Sequence, residues 1–498
     1  MMEKAMATET LREALNRARL LSGVRGALPA TIAALTDDSR QVGPETCFVA
    51  VRGSARDGHR FLPEVEQAGA TCVICEDTSG TSLPALIVRD ARAAAAVAAA
   101  AFHGEPARTM RFVGVTGTNG KTTTVGILRH LLDEPNAGAR AASIGTLGVL
   151  LGSEGTALPG GAGLTTPGPI ELQRLLRALA DDGVRTVAME VSSHALEQQR
   201  VRGVRFDCGV FTNLTRDHLD YHRTMEAYFA AKALLVASLT ADGTAVVNAD
   251  DEAWRALPAA PRSLRFGLAS ADADVRATQV RFEPRGSAWM LETKAGAREI
   301  RLPLIGDFNV ANALAAAAAA LALGVSLDTV AVRLATAPQV PGRLEVLSES
   351  PTVLRDYAHT PDALDRALAA LRPFTPGRLI ALFGCGGDRD RGKRPLMARA
   401  ARARADHLVI TSDNPRTEDP ERILDDIVAP LREGSYDRIE DRRAAIAHAI
   451  SLADPSRDVV LLAGKGHETY QIRGTTTLPF DEKEVVREIL SERGVRAG

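Results

Sequence analysis

The sequence predicts an α/β protein of three domains, and three observations carry that expectation. The chain has 498 residues, more than one hydrophobic core fills, and roughly 100–200 residues per domain gives about three. Short apolar runs alternate with helix-like segments in three successive stretches, the order expected where helices cover a mostly parallel sheet. Between the stretches lie Gly104–Thr109 and Pro341-Gly342, whose glycines and prolines suit links. The expected domains are 1–108, 109–341 and 342–498.

In the first stretch Cys47–Val51 and Thr71–Ile74 read as strands, and Asp90–His103, rich in alanine, reads as the helix after Leu86–Arg89. Cys72 and Cys75 have C-x-x-C spacing but sit in an apolar run with no second Cys/His pair, so they read as buried strand residues rather than a metal or redox pair. The second stretch has strand candidates Phe112–Val115, Val187–Val191, Gly209–Thr212 and Ala245–Asn248, with helical patterns at Ile170–Ala180 and Met225–Leu239. From Leu264 to Leu304 short alternating segments predict an antiparallel insertion, followed by an alanine-rich helix, Asn309–Leu323. The third stretch has strand candidates Leu379–Phe383, Leu408–Thr411 and Val459–Ala463.

Composition narrows the partners. The chain is 45% hydrophobic and 24% charged, with net charge −2, a balance that argues against nucleic acid as the main partner. The most apolar runs, Ala93–Phe102 and Ala313–Leu323, are too short to span a bilayer, so no membrane insertion is expected. Met1 to Arg19 carries charges of both signs and no apolar core, unlike a secretory signal. Five cysteines, an odd number in a long chain, suit a reducing compartment, and a cytoplasmic monomer acting on small molecules is expected.

The sharpest motif is Thr116-Gly117-Thr118-Asn119-Gly120-Lys121-Thr122-Thr123. It follows a strand candidate and precedes a helical pattern, as a phosphate-binding loop must. Gly117 and Gly120 let backbone N–H groups turn toward phosphate oxygens, Lys121 reaches the distal phosphates, and Thr122 offers a hydroxyl to Mg²⁺. Val115 stands where the usual spacing has its first glycine. Glu190, at the end of the next strand candidate, is placed to bind that cation. Asn213-Leu214-Thr215-Arg216-Asp217-His218-Leu219-Asp220-Tyr221-His222 crowds two histidines and two aspartates into one loop. Lys232, in a helical stretch, reads from chemistry alone as a surface lysine.

Three further loops stand at strand ends: Gly384 to Arg394, Asp413-Asn414-Pro415-Arg416, and Gly464-Lys465-Gly466-His467-Glu468. Parallel sheets place ligands beyond strand carboxyl ends, so the three can converge. Arg389 and Arg416 offer forks for a carboxylate, and Glu468 can take an ammonium.

Together Gly117–Thr123, Glu190-Val191-Ser192-Ser193-His194, Asn213–His222 and Lys232 resemble the central domain of the Mur ligases. The resemblance continues in order through Gly306-Asp307-Phe308-Asn309-Val310-Ala311-Asn312, Pro341-Gly342-Arg343 and Asp356-Tyr357-Ala358-His359. It implies an N-terminal uridine-binding domain, a central P-loop ATPase domain and a C-terminal Rossmann-like domain. It implies ATP and Mg²⁺, with Lys121, Glu190, His218 and Lys232 catalytic. Thr122, Glu190, His218 and a carbamylated Lys232 would serve the metal. The nucleotide would be held by Gly117 to Thr123 with Asn309, Asn312, Arg343, Asp356 and His359.

By the same resemblance Ser39, Ser54, Ala55 and Arg56 hold the uridine end of a UDP-muramoyl dipeptide. Thr165, Thr166, Ser192, Gln198 and Arg200 hold the remainder, with Leu164 standing where an asparagine can precede the threonine pair. Arg389, Asp413, Asn414, Pro415, Arg416, Gly464 and Glu468 receive the incoming amino acid. The D-N-P-R form resembles members that add meso-diaminopimelate, since lysine-adding relatives lack the arginine. Folate-type relatives should lack the Ser39-Arg40 and Ser54–Arg56 features. The implied reaction is amide ligation through an acyl phosphate, in peptidoglycan precursor synthesis.

Overall fold

The computed structural model describes residues 5–53, 56–134, 138–161, 163–283 and 286–493. It is a mixed α/β structure with N-terminal, central and C-terminal sheets, and its residues group into two compact units. One comprises Met1–Arg276, Glu292–Ala297 and Asn312–Arg333; the other comprises Ala277–Leu291, Arg298–Ala311 and Leu334–Gly498.

The N-terminal sheet of the first unit has five strands among the described residues, in the order Leu21–Arg25, Ala85–Val88, Cys72–Cys75, Thr46–Val49, Ala34–Thr36. All neighbours run parallel except the edge strand Leu21–Arg25. Cys72 and Cys75 are fully buried strand residues with free thiols, as their apolar run predicts. Helix Ala91–Phe102 starts where Asp90 accepts a hydrogen bond from the Ala93 N–H at 3.0 Å. Its alanines bury almost completely, because a methyl-sized side chain lets the helix lie close against its neighbours.

The central sheet runs parallel through Arg140–Gly145, Val184–Glu190, Arg111–Thr116, Phe206–Phe211, Leu239–Asn248 and Arg262–Gly267. Gly148–Leu151 and Thr156–Leu158 extend the first edge as antiparallel strands. Two expectations shift here. The strand predicted at Val187–Val191 begins at Val184, because Arg185, exposed where the register shifts between Val184 and Thr186, interrupts the apolar run. Arg262–Gly267, which overlaps the predicted antiparallel insertion, pairs parallel on both sides; its burial rises from exposed Arg262 to buried Gly267 rather than alternating. The later strands Val275–Glu283, Gly286–Thr293 and Gly296–Leu302 follow, the last two joined by the two-residue turn Lys294-Ala295.

The sheet of the second unit is ordered Glu345–Glu349, Thr352–Asp356, Val459–Ala463, Leu379–Phe383, His407–Ile410, Asp437–Arg438. It is parallel except for the first pair, a hairpin the apolar pattern did not announce because its outer strand is only partly covered. Val459–Ala463 and Leu379–Phe383 are almost wholly buried, so both read as continuous apolar runs. In both units the loops singled out from sequence follow the carboxyl ends of parallel strands.

Candidate active site

The phosphate loop begins where strand Arg111–Thr116 ends. Val115 is still in the strand, fully buried and paired with Glu190 and Val210, so the turn starts at Gly117 rather than at the usual first glycine. Gly117 has φ +145° and Gly120 φ +85°, backbone that side chains rarely adopt. A Cβ would lie 1.9 Å from Thr212 Oγ1 at Gly117 and 2.2 Å from Asn312 Oδ1 at Gly120. The loop is pinned from behind by the segment after Phe206–Phe211. The Thr118 N–H donates to Asn213 O at 2.7 Å, the Asn119 N–H to Asn213 Oδ1 at 2.9 Å, and Thr212 Oγ1 to Asn119 O at 2.7 Å. Helix Lys121–Leu132 leaves the loop with Thr122 and Thr123 buried in its first turn. Lys121 Nζ folds back onto Gly117 O at 2.9 Å and Thr118 O at 2.8 Å. Backbone amides, helix dipole and lysine therefore meet at one small anion-binding end.

Glu190 ends strand Val184–Glu190 and is 1% exposed. Its carboxylate accepts from the Thr146 N–H at 2.8 Å and the Thr146 hydroxyl at 3.2 Å. Thr146 reaches on to Thr165 Oγ1 at 3.3 Å. Thr166, fully buried, donates to Glu190 O at 2.9 Å and accepts from the Ser192 N–H at 3.1 Å. Arg200 donates to Thr166 O and, through two nitrogens, to Gln198 Oε1. The structure thus joins Thr165, Thr166, Ser192, Gln198 and Arg200 in one network beside Glu190. Ser39 opens a short 3₁₀ turn capped by Asp38, and Asp37 lies within electrostatic reach of Arg200. Arg56 is exposed, its carbonyl accepting from the Gly53 N–H at 2.9 Å. Ser54 and Ala55 lie outside the described residues.

Lys232 corrects the reading from chemistry alone. It is not on the surface: helix Met225–Ala237 carries it inward to 1% exposure, and burial pushes its ammonium well below the ordinary lysine range. Its Nζ donates to Gly117 O at 2.7 Å and sits 4.5 Å from the centroid of Tyr228. Tyr228 in turn shares a 3.3 Å hydrogen bond with Thr118 Oγ1. His218, half exposed, has φ +53° and packs edge-on against His194 at 4.9 Å. Burial and the neighbouring His218 and His222 lower His194 to about 4. His222 is held by Ser193 Oγ at 2.9 Å and faces Glu197 at 3.4 Å.

Among the described residues no group of three or more His, Cys, Asp or Glu side chains is arranged to hold a metal ion. The hydroxyl of Thr122 and the carboxylate of Glu190 nonetheless suit Mg²⁺, a hard cation that takes few protein oxygens and completes its shell with water and phosphate. An unmodified Lys232 brings nitrogen rather than oxygen and does not suit it.

In the second unit the three C-terminal loops do converge. A Cβ at Gly386 would lie 2.8 Å from Arg416 Nη1 and 3.7 Å from Arg389 Cγ; one at Gly387 would lie 1.8 Å from Pro415 O; one at Gly464 would lie 3.6 Å from Asp413 Oδ2. Arg416, at φ +53°, donates to Gly387 O at 3.0 Å. Neither Arg416 nor Arg389 has a carboxylate partner among the described residues, although Arg389 does donate to Asp388 O at 3.3 Å. Asn414 Nδ2 donates to Glu468 Oε2 at 2.9 Å, and burial raises the Glu468 carboxyl above its usual range.

Arg343 lies over the Tyr357 ring at 4.9 Å, and Asp356 accepts from the Leu344 and Ala358 N–H groups. His359 Nδ1 bonds Tyr357 O at 2.8 Å. These three gather beside the end of strand Thr352–Asp356. Asn309 donates to Ile305 O at 2.8 Å in the second unit, and Asn312, in the first, lies against Gly120.

Sequence reasoning left out Thr146, Tyr228, His222 and Lys465 as site residues. Thr146 carries no motif, and Tyr228 four positions before Lys232 was the available signal, since helical spacing puts both on one face.

The chain matches the description "Mur ligase family, catalytic domain" over residues 31–109, "Mur ligase middle domain" over 115–320 and "Mur ligase, glutamate ligase domain" over 342–466. The UDP-N-acetylmuramoyl-L-alanyl-D-glutamate–2,6-diaminopimelate ligase of Geobacillus thermodenitrificans is 46% identical over 482 residues, covering 94% of this chain and 96% of its own. The enzyme of the same name from Synechococcus elongatus is 46% identical over 493 residues, with 95% and 97% covered. A solved structure of a ligase of that name aligns with TM-score 0.66 at 34% identity, covering 94% of this chain and 96% of that one. A phosphate loop backed by a buried carboxylate in one unit, an Arg/Asp/Glu pocket in the other and this similarity along nearly the whole chain lead to one conclusion: the chain belongs to the Mur ligase family.

Proposed function

We propose that this chain joins meso-2,6-diaminopimelate to the glutamyl carboxylate of UDP-N-acetylmuramoyl-L-alanyl-D-glutamate at the expense of ATP, in peptidoglycan precursor synthesis. The observation that carries the reading is the pocket of the second unit. There Arg416, without a carboxylate partner among the described residues, stands in the same loop as Asp413, with Glu468 nearby. Such a pocket fits a ligand end bearing both a carboxylate and an ammonium, which diaminopimelate has and the side chain of lysine lacks. The names of the relatives support the same substrates.

In this reading residues 1–108 take the uridine end through Ser39, Ser54, Ala55 and Arg56. Residues 109–341 take ATP and the muramoyl dipeptide, and residues 342–498 take the amino acid. Thr165, Thr166, Ser192, Gln198 and Arg200 hold the dipeptide so that a glutamyl carboxylate oxygen faces the γ-phosphorus. That oxygen attacks, the bond to the β-phosphate oxygen breaks, and ADP leaves. Gly117 to Thr123 hold the phosphates through backbone N–H groups, with Lys121 turning from its carbonyl partners to the γ-phosphate. The diaminopimelate amine then adds to the acyl carbon, loses a proton, and phosphate departs with the C–O electrons. Asn312, beside Gly120 in the same unit, adds to these nucleotide contacts.

Thr122 and Glu190 would hold Mg²⁺, which would supply neutralisation of the phosphate charge. The neutral amine of buried Lys232 would add CO₂ with loss of a proton, and the resulting carbamate would offer an oxygen ligand beside His218. The protein acts as a cytoplasmic monomer on small molecules. Five free buried cysteines support a reducing compartment, and no helix among the described residues is long and apolar enough to cross a membrane.

The deciding experiment is ADP release with the UDP-dipeptide present and each amino acid added in turn. Release that depends on diaminopimelate and not on lysine is expected. Release that needs no amino acid would refute the ligase reading, and equal use of lysine would refute the specificity.

A further inference from the structure

Lys465 is the second unit's most unusual cation. It is 0% exposed, and its ammonium has three N–H groups to place. One goes to Tyr470 O at 2.6 Å and one to Asn414 Oδ1 at 3.1 Å. Two carboxylates lie at ion-pair distance beyond these bonds, Asp413 Oδ1 at 3.5 Å and Glu468 Oε2 at 3.6 Å. Asp413 Oδ1 is itself buried and accepts no hydrogen bond. Asn414 is fixed in orientation, because its Oδ1 accepts from both Lys465 and the Ile472 N–H at 3.0 Å while its Nδ2 serves Glu468.

We propose that Lys465 is a positioning residue for the amino-acid pocket, holding Asn414 and Glu468 in place and leaving Asp413, Glu468 and Lys465 together with one negative charge in excess. The count is direct. Asp413, Glu468 and Lys465 together leave a single negative charge, which matches the ammonium at the distal end of diaminopimelate, as the Arg416 guanidinium of the same pocket matches its distal carboxylate. Without Lys465, two carboxylates face each other in a buried place with no cation, and like charges so arranged drive one of the pair to take a proton instead. The pocket then loses the attraction that separates an ammonium from water. Lys465 does not touch the reacting atoms, so its effect falls on capture of the amino acid. This rests on the reading that the pocket takes diaminopimelate.

The test uses the full-length protein and steady-state kinetics with each substrate varied. Lys465→Met keeps the stem and removes the charge. It should raise KM for diaminopimelate by about 100-fold, the scale of removing one partner from a buried charge cluster. KM for ATP and for the UDP-dipeptide should stay within about twofold, a split that general loosening of the fold would not produce. The double variant Lys465→Met/Glu468→Gln removes one charge of each sign. Glu468→Gln should therefore cost at least about tenfold less in the Lys465→Met background than in the wild type. An unchanged KM for diaminopimelate, equal damage to all three KM values, or independent losses in the double variant would each overturn the proposal. Should Lys465→Met fail to fold, the double variant decides alone: folded and using diaminopimelate it supports the charge count, and unfolded it defeats it. A wild-type protein that ignores diaminopimelate defeats the functional reading instead, and that is seen before any variant is made.

Discussion

The phosphate loop and the amino-acid pocket handle charge in opposite ways. The loop after strand Arg111–Thr116 is built from backbone: two glycines in conformations that side chains rarely adopt, a helix start, N–H groups that donate to Asn213, and a carbonyl that accepts from Thr212. The pocket of the second unit is built from side chains: Asn414 bonds Lys465 and Glu468, Asp413 lies at ion-pair distance from Lys465, and Arg416 stands in the same loop as Asp413. Backbone amides bind any phosphate group and tell substrates apart poorly. Side-chain charges in a desolvated pocket bind one pattern and penalise its absence, because an unmatched charge stays buried. Energy supply and substrate choice are thus assigned to different kinds of structure.

The largest expected effect tests that division directly. Arg416→Ala should erase most of the preference for diaminopimelate over lysine, a discrimination that reaches roughly 10⁴-fold where a site is built to bond the missing group. Initial rates with both amino acids measure it. A ratio that survives the change places specificity elsewhere.

Lys121→Ala should lower kcat by about 10³-fold, as when one preorganised donor to developing charge is lost. The amino-acid ratio should not move. If it does, the two regions are not independent and the comparison breaks. The assay is ADP release from protein shown by circular dichroism to be folded.

The pocket also depends on an ion pair behind it. Arg442 and Glu482 are both 0% exposed and meet at 2.7 Å, and Arg442 donates to Ser412 O and Ala463 O, the residues just before the Asp413 and Gly464 loops. Arg442→Met leaves Glu482 buried without its cation and should cost about 3–5 kcal/mol of stability. Denaturant unfolding would show it as a lowered midpoint, and an unchanged midpoint would mean the pair carries little.

The smallest effect sharpens the description of Glu190. Thr146→Val removes the hydroxyl bond to the carboxylate and keeps the backbone N–H bond. A single hydrogen bond to a charged group is worth about 1.5–3 kcal/mol, so roughly a tenfold or somewhat larger fall in kcat is expected, with amino-acid preference intact. No change in kcat would show that the N–H alone orients Glu190.

What the sequence determined by itself is local. Thr116 to Thr123 is contiguous, and the geometry of a phosphate loop follows from adjacent residues: strand, two glycines, lysine, helix. The alternation of buried strands and helices is equally local, so the α/β class and most strands were legible within a few residues. Where neighbours are distant, only the tertiary structure decided. Lys232 and Lys465 are both fully buried, yet a lysine in a run of helix or loop carries no mark of its depth, which depends on what packs over it. Arg262–Gly267 reads as one strand type or another according to which strands flank it, and those lie elsewhere in the chain. Asp413 and Glu468 acquire their meaning from the ammonium held between them, because electrostatic energy is set by distances of a few ångströms in space and not by separation along the chain.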